Sequence, residues 1–423
     1  LGIGDWGLGI GDWGLLTIDY GLMTILNSNL SMTSISTLQT RLHSHREQFP
    51  ALANKTYFNY GGQGPMPQGA MDIITQSLTY IQQIGPFGTE AGNWITRQTQ
   101  AVREAIASEL NASSDTITFT DNVTVGCNIA LWGIPWQAGD HILLSDCEHP
   151  GVIAATQEIS RRFGVEVTTC PLKSTLNEGE PTTIIAQHLR KNTRLVVLSH
   201  VFWNTGQVLP LDKIVEVCRN NNSLLLVDAA QSVGALPLNL TELGVDFYAF
   251  TGHKWLCGPE GVGGLYVRPE VRESLNPTFI GLYGIIVDNQ AQPVSWKPDG
   301  RRYEVSTLAY PLYLGLKEAI ATHQRWGTPQ ERYAQICHNS EYLWRSLAAI
   351  PNVKCLRDTP PETGIVSFQL HQTPSLKLVQ FLDSQKILTR TIADPSCIRV
   401  TVHYLTLESE IDQLVEAIAR FSV

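Results

Sequence analysis

From about residue 115 onward, short unbroken apolar runs alternate with longer amphipathic stretches. The runs "DTITFT" (115–120), "HILLS" (141–145), "VEVTTC" (165–170), "RLVVLSH" (194–200), "SLLLVDAA" (223–230), "DFYAFT" (246–251) and "GVGGLYVR" (261–268) are aliphatic or β-branched. They show little polar alternation, which predicts strands buried on both faces. Between them, Val152–Phe163, Thr182–Lys191 and Leu211–Arg219 predict helices. Strand–helix–strand repetition implies an α/β fold with a mostly parallel sheet and helices on both faces. Such sheets bind ligands beyond the carboxyl ends of their strands.

After "RRYEVST" (301–307) the pattern changes. Residues 311–350 predict long helices. Then come "GIVSFQL" (364–370), a helix near 375–385, "CIRVTVHY" (397–404) and a final helix from Glu408 to Phe421. The expected organisation is a large domain over 63–307 and a smaller α+β domain over 308–423. The segment 33–62 is expected to pack with the smaller domain.

Composition narrows the function classes. The chain has 423 residues and a net charge of −9. It has no long basic run, so nucleic-acid binding has little electrostatic support. Its eight cysteines are scattered without a CxxC pair. That argues against a zinc ribbon or a disulfide framework and fits a reducing compartment. No metal site is expected. No apolar run reaches the ~18 residues of a membrane span, and the start lacks a basic signal-peptide region. A cytoplasmic protein is expected.

The first 14 residues are "LGIGDWG" twice in tandem. The seven-base unit TTGGGGA, read three times, encodes that heptapeptide and closes its frame only there. Residues 1–32 are therefore expected to be translated simple-sequence DNA or a disordered extension, with Met23 or Met32 as initiator.

Four strand ends carry candidate chemistry. In "FTDNVTVG" (119–126) a strand runs into Asn122 and Thr124 at a helix start, a place that suits a phosphate or an ordinary helix cap. "SDCEHPG" (145–151) sets His149 just past a strand, for ring stacking, acid–base work or a plain loop. "LLLVDAAQS" (224–232) drives an apolar strand into Asp228, with Gln231 next. A buried carboxylate there needs a cationic or donor partner, such as a protonated pyridine, unless it caps a helix. "FTGHKW" (250–255) places Thr251, His253 and Lys254 at a strand end, where a lysine can form a Schiff base. Aldehyde partner, phosphate cup and ring-nitrogen carboxylate are together what pyridoxal 5′-phosphate (PLP) requires.

The order "EHPG … SHVFWNTG … VDAAQSVGA … FTGHKW … GPEGVGGLYV … RRYEVST … CIRVTVHY" resembles the class V aminotransferase-fold PLP enzymes. Within them it is most similar to cysteine/cystine carbon–sulfur lyases and their relatives the cysteine desulfurases. The resemblance spans about 49–420. It implies the fold type I transferase architecture, with a mainly parallel seven-stranded sheet sandwiched by helices. It makes Lys254 the Schiff-base lysine, His149 the ring-stacking residue and Asp228 the partner of the pyridine nitrogen. Gln231 would contact the ring oxygen, and Val123, Thr124, Thr251 and His253 would hold the phosphate. Thr307 would reach a partner subunit's phosphate, implying a homodimer. Arg399 would bind the substrate carboxylate, with Asn204, or Trp203 beside it, in the active site. "FNYGGQGPMP" (58–67) would bring Asn59 and Gly61 to the substrate.

The reaction turns on "TRTIADPSCIRV" (389–400). Desulfurases carry a cysteine on a long mobile loop after an arginine, which attacks the substrate sulfur and leaves alanine. Here only a short segment separates Arg390 from Arg399, and Cys397 falls at a strand start, expected to be tethered and pointing away from its neighbour's pocket. The segment resembles that of cystine lyases. The implied reaction is β-elimination from cystine or cysteine to pyruvate, ammonia and a persulfide or sulfide, with iron–sulfur cluster assembly as one destination for the sulfur. Arg390 would assist carboxylate binding or steady the distal half of cystine, or else sit in an ion pair. The alternatives are a desulfurase, an epimerase or aminotransferase of the same fold, and a non-catalytic scaffold, which the intact Lys254, Asp228 and His149 disfavour.

Overall fold

The first strand of the fold, β1 (Thr56–Tyr57), is followed by two long helices, Gln68–Ile84 and Thr89–Glu109. The computed structural model describes residues 40–371 and 373–421. The expectations for 1–32, with its tandem repeat and candidate initiators, lie outside the described residues. Two units are distinguished, 1–45 and 46–423. Of the first, residues 40–45 are helical. All the described strands belong to the second.

The predicted strands form within a residue or two as β2 (Ile117–Thr120), β3 (His141–Ser145), β4 (Glu166–Cys170), β5 (Thr193–Ser199), β6 (Leu224–Asp228), β7 (Phe247–Thr251) and β8 (Gly263–Val267). They make one seven-stranded sheet in the order β2-β8-β7-β6-β5-β3-β4. All run parallel except β8, which is antiparallel to both neighbours. The apolar runs are explained by two cores, one on each face. One is built around Leu143, Val196, Val227 and Tyr248, the other around Ile142, Val197, Leu226 and Ala249. These are alternate positions along the same strands, as the period of two demands.

One strand departs from the expectation of double burial. β4 is an edge strand, and Glu166 and Thr169 are exposed. The other edge strand, β2, is buried along its whole length, so β4 is set apart by what covers it and not by its edge position. The helix expected from Val152 begins at Pro150, because His149 caps it. The hairpin of β9 (Ile285–Val287) and β10 (Pro293–Trp296) has no counterpart among the predicted elements. It is short and exposed, with Ile286, Val287, Val294 and Trp296 accessible.

Beyond residue 310 lie the helices Tyr310–Trp326 and Pro329–Ala348, the second opened by a Thr328–Glu331 capping box. A four-stranded antiparallel sheet comes next. It contains β11 (Val353–Cys355), β12 (Ile365–Leu370), β14 (Arg390–Ile392) and β15 (Cys397–Thr401), with the short β13 (Ile387–Leu388) outside it, in the order β11-β12-β15-β14. β1 pairs in parallel with β13, and Phe58 packs into the core of this sheet. Among the described residues no helix is long and apolar enough to cross a membrane.

Candidate functional site

The carboxyl ends of β2, β3, β6 and β7 converge, because parallel strands share one direction. Asp228 ends β6 buried, with Oδ1 accepting from the Ala230 amide at 2.9 Å. Burial pushes its carboxyl up, opposed by that amide and by the charges of Lys254 and His149. Lys254 follows β7 and is half-buried. Desolvation pulls its ammonium down to about 8. Asp228 resists this, while Arg399 and Arg390 add to it.

His149 caps its helix, its Nδ1 accepting from the Gly151 amide at 3.1 Å, so the ring proton sits on Nε2. Burial lowers its proton affinity, Asp228 raises it, and Lys254 and Arg390 lower it. The edge of Trp203 meets this ring at 6.1 Å between centroids.

At the end of β2, Asn122 Oδ1 accepts from the Val125 amide at 3.0 Å. A helix leaves its first amides without intrahelical partners, so those of Val123 and Thr124 remain for an anion. Gly126 lets this helix settle on the sheet, since a Cβ there would lie 2.9 Å from that of Ala249. Thr251 Oγ1 and His253 Nδ1 are 2.7 Å apart. Thr307 is exposed and lines an open cavity of about 200 Å³ with Thr120, Asp121, Val125 and Thr278.

Gln231 is held at both ends of its amide. Nε2 donates to the Gly61 carbonyl at 2.9 Å, and Oε1 accepts from Trp255 Nε1 at 2.9 Å. Its remaining N–H is the group left for a ligand.

Arg399 is 1% exposed on β15. Nη1 donates to the Trp203 carbonyl at 2.8 Å and Nη2 to Asn59 Oδ1 at 3.3 Å, while Nε is buried without a partner. Among the described residues it has no carboxylate. Burial pulls its guanidinium down to about 9, and Arg390 adds to the effect. Gly61 lies over it, and a Cβ there would come within 3.4 Å of Arg399 Cζ and 3.0 Å of Gln231 Oε1. Arg390 is exposed and, among the described residues, in no ion pair, so the ion-pair alternative is not what forms.

Of the two neighbours weighed for the active site, Trp203 meets His149 and Arg399. Asn204 Nδ2 instead donates to the Asp394 carbonyl at 3.0 Å, its Oδ1 buried and unpartnered. The hairpin turn that it holds is also tied by Lys173–Asp394 at 2.7 Å and by Gln369 Nε2 to the Ser396 carbonyl at 2.8 Å. One expectation is corrected. Cys397 does not point away from its neighbour's pocket. Positions two apart on a strand share a face, and Cys397 lies buried beside Ser367, in the field of Arg399. Burial holds its thiol up at about 11.

Trp255 and Glu148 are site residues that the sequence pattern does not single out. Glu148 has a visible signal, a charged residue two positions before a helix and three after a buried strand.

Residues 57–423 match the aminotransferase class-V family, and the chain belongs to it. It is 50% identical to the cystine C–S lyase C-DES, solved in complex with its reaction product cysteine persulfide. That likeness covers 88% of this chain and 99% of the other, with a TM-score of 0.86. A lysine-to-alanine mutant of C-DES with glycine covalently linked to the PLP cofactor is 49% identical, covering 88% and 98%, with a TM-score of 0.87. A probable cysteine desulfurase of Methanothermobacter thermautotrophicus is 26% identical over 89% of this chain and 97% of its own.

The residues present fit PLP. A buried carboxylate with no ion-pair partner among the described residues, a lysine of lowered proton affinity and a helix start with spare amides face one another across the strand ends.

Proposed function

We propose that this chain is a PLP-dependent carbon–sulfur lyase acting on cystine or cysteine by β-elimination. The products are pyruvate, ammonia and a persulfide from cystine, or sulfide from cysteine. The observation that carries this is Arg399. It is a buried guanidinium with no carboxylate among the described residues, on a hairpin too short and too well tied to carry a roaming thiol.

PLP, when bound, supplies an electron sink for the bond breaking at the substrate. Lys254 would hold it, and its amine would take the proton from the substrate Cα. Asp228 holds the proton on the ring nitrogen, and His149 covers the ring. Gln231 offers its spare N–H to the ring oxygen. Val123, Thr124, Thr251 and His253 cup the phosphate. Arg399 binds the α-carboxylate within the frame of Asn59 and Gly61. Arg390 steadies the distal half of cystine. Asn204 holds the hairpin turn that bears both arginines.

Thr307, exposed beside the open cavity, reaches the phosphate of a second copy in a homodimer. The division into a large domain over 63–307 and a small one over 308–423 belongs to the same reading, and the β1–β13 pairing supports the packing of residues 56–57 with the small domain. Eight free cysteines support a reducing, cytoplasmic setting, where the persulfide can feed iron–sulfur cluster assembly.

The second reading, a cysteine desulfurase, draws on the shared face of Cys397 and Arg399. Incubation with cystine and with cysteine, measuring pyruvate against alanine, separates them. Pyruvate with persulfide is expected. Stoichiometric alanine rejects the lyase.

A further inference from the structure

Glu148 is 4% exposed, one residue before the ring-covering His149. Its carboxylate accepts three hydrogen bonds. Ser145 Oγ and the Ser199 amide donate to Oε1 at 2.5 and 3.0 Å, and Ser199 Oγ donates to Oε2 at 2.8 Å. It therefore ties the end of β3 to the end of β5. Among the described residues no cation pairs with it. Ser199 is the register partner of Asp228 on the next strand, so the donors of one carboxylate stand beside the other.

We propose that Glu148 is a positioning residue of the cofactor site, a second buried carboxylate behind Asp228 that gives its proton to solvent when Asp228 is paired with the protonated ring nitrogen. This rests on the PLP reading but not on the sulfur substrate.

The physical reason is like-charge repulsion in a dry setting. Burial pushes the Glu148 carboxyl up to about 7. Ser145 and Ser199 oppose this, while the Asp228 charge raises it further. A cation beside Asp228 cancels that charge, and the proton on Glu148 is then held less tightly. Lys254, at about 8, also titrates near neutrality and contributes to the wild type and to Glu148→Gln alike, so the difference between the two proteins reports Glu148. Cys127, on the helix Val123–Gly133, Cys147, on its own loop, and Cys170, on β4, are all pushed far above neutral. Lys254 and His149 bear on Asp228 rather than on Glu148. His200, at the end of β5, is turned to Tyr248 Oη at 2.7 Å and held neutral by burial.

Linkage makes the proposal measurable, because a ligand that releases a proton binds more tightly as pH rises. The dissociation constant of PLP for the cofactor-free protein is measured by equilibrium dialysis at pH 6 and pH 8, with proton release followed by a pH indicator. Glu148→Gln is expected to bind PLP, to release fewer protons, and to lose about threefold or more of the wild-type tightening between the two pH values. The same pH ratio and proton release in both proteins overturns the proposal. Should Glu148→Gln fail to fold, Ser199→Ala removes one donor and must move the wild-type inflection to higher pH. An unmoved inflection overturns it as well. Wild-type protein that binds no PLP at either pH rejects the cofactor reading itself, and the proposal with it.

Discussion

Arg390 and Arg399 stand directly opposite each other as register partners across the β14–β15 hairpin. Two like charges in that position destabilise a hairpin, and Arg399 is buried as well. The arrangement becomes favourable when anions enter. Cystine has a carboxylate for each arginine, and cysteine has one. Arg399→Gln is therefore expected to lower kcat/KM for both substrates by about 100-fold or more, within the range for truncating a buried charge pair. Arg390→Gln should raise KM for cystine and leave cysteine turnover within about twofold, since an exposed cation contributes little elsewhere. Steady-state kinetics on both substrates check the contrast.

Lys254 sets a pH dependence for cofactor loading. Its value of about 8 lies below the ordinary 10.5, so burial favours the neutral amine. Only the neutral amine attacks an aldehyde. At pH 7 about a tenth of the chains have it, against roughly 0.03% for an unperturbed lysine. The rate of PLP uptake by the cofactor-free protein should climb about tenfold per unit below pH 8 and level off above it. Stopped-flow absorbance near 420 nm reads this directly, and a rate still climbing at pH 9.5 contradicts the assignment.

Lys254→Ala should abolish the ~420 nm band and lower kcat by about 10²–10⁴, the usual contribution of a positioned base. Asp228→Asn should keep the covalent band and still lose about 100-fold or more, because the ring nitrogen loses its anionic partner. The two variants together separate attachment from electronic activation.

Cys397→Ala should retain turnover within about threefold, with pyruvate as product. The thiol, held up at about 11, is almost entirely protonated at neutral pH and cannot travel with its turn. A loss of about 100-fold or more, with alanine formed by the wild type, reverses the choice between lyase and desulfurase.

Much of this site is legible along the chain. His149, Asp228 and Lys254 each come after an apolar run, and in a parallel sheet the ends of such runs must meet. The period of the runs predicts seven strands and their two buried faces. The double burial expected of β4 fails because which strands other elements cover is a matter of long-range packing, not written in any local pattern. The hairpin over 285–296 escapes the pattern because two short exposed strands have neither a buried face nor a long run to announce them.

Residue types, their local spacing and the strand ends are settled by the sequence, since backbone geometry and burial of apolar runs act over a few residues. Distances between remote segments are decided only by the folded chain. Asn59 and Gly61, from more than three hundred residues away, and Trp203, from 196, are brought to the Arg399 guanidinium by pairing and packing. The spacing of two already puts Cys397 on the face of Arg399 once both lie on one strand; what only the folded chain decides is that burial and a turn anchored from Lys173 and Asn204 restrain it. The reach of a side chain depends on which distant residues fill the space around it, and long-range packing alone determines that.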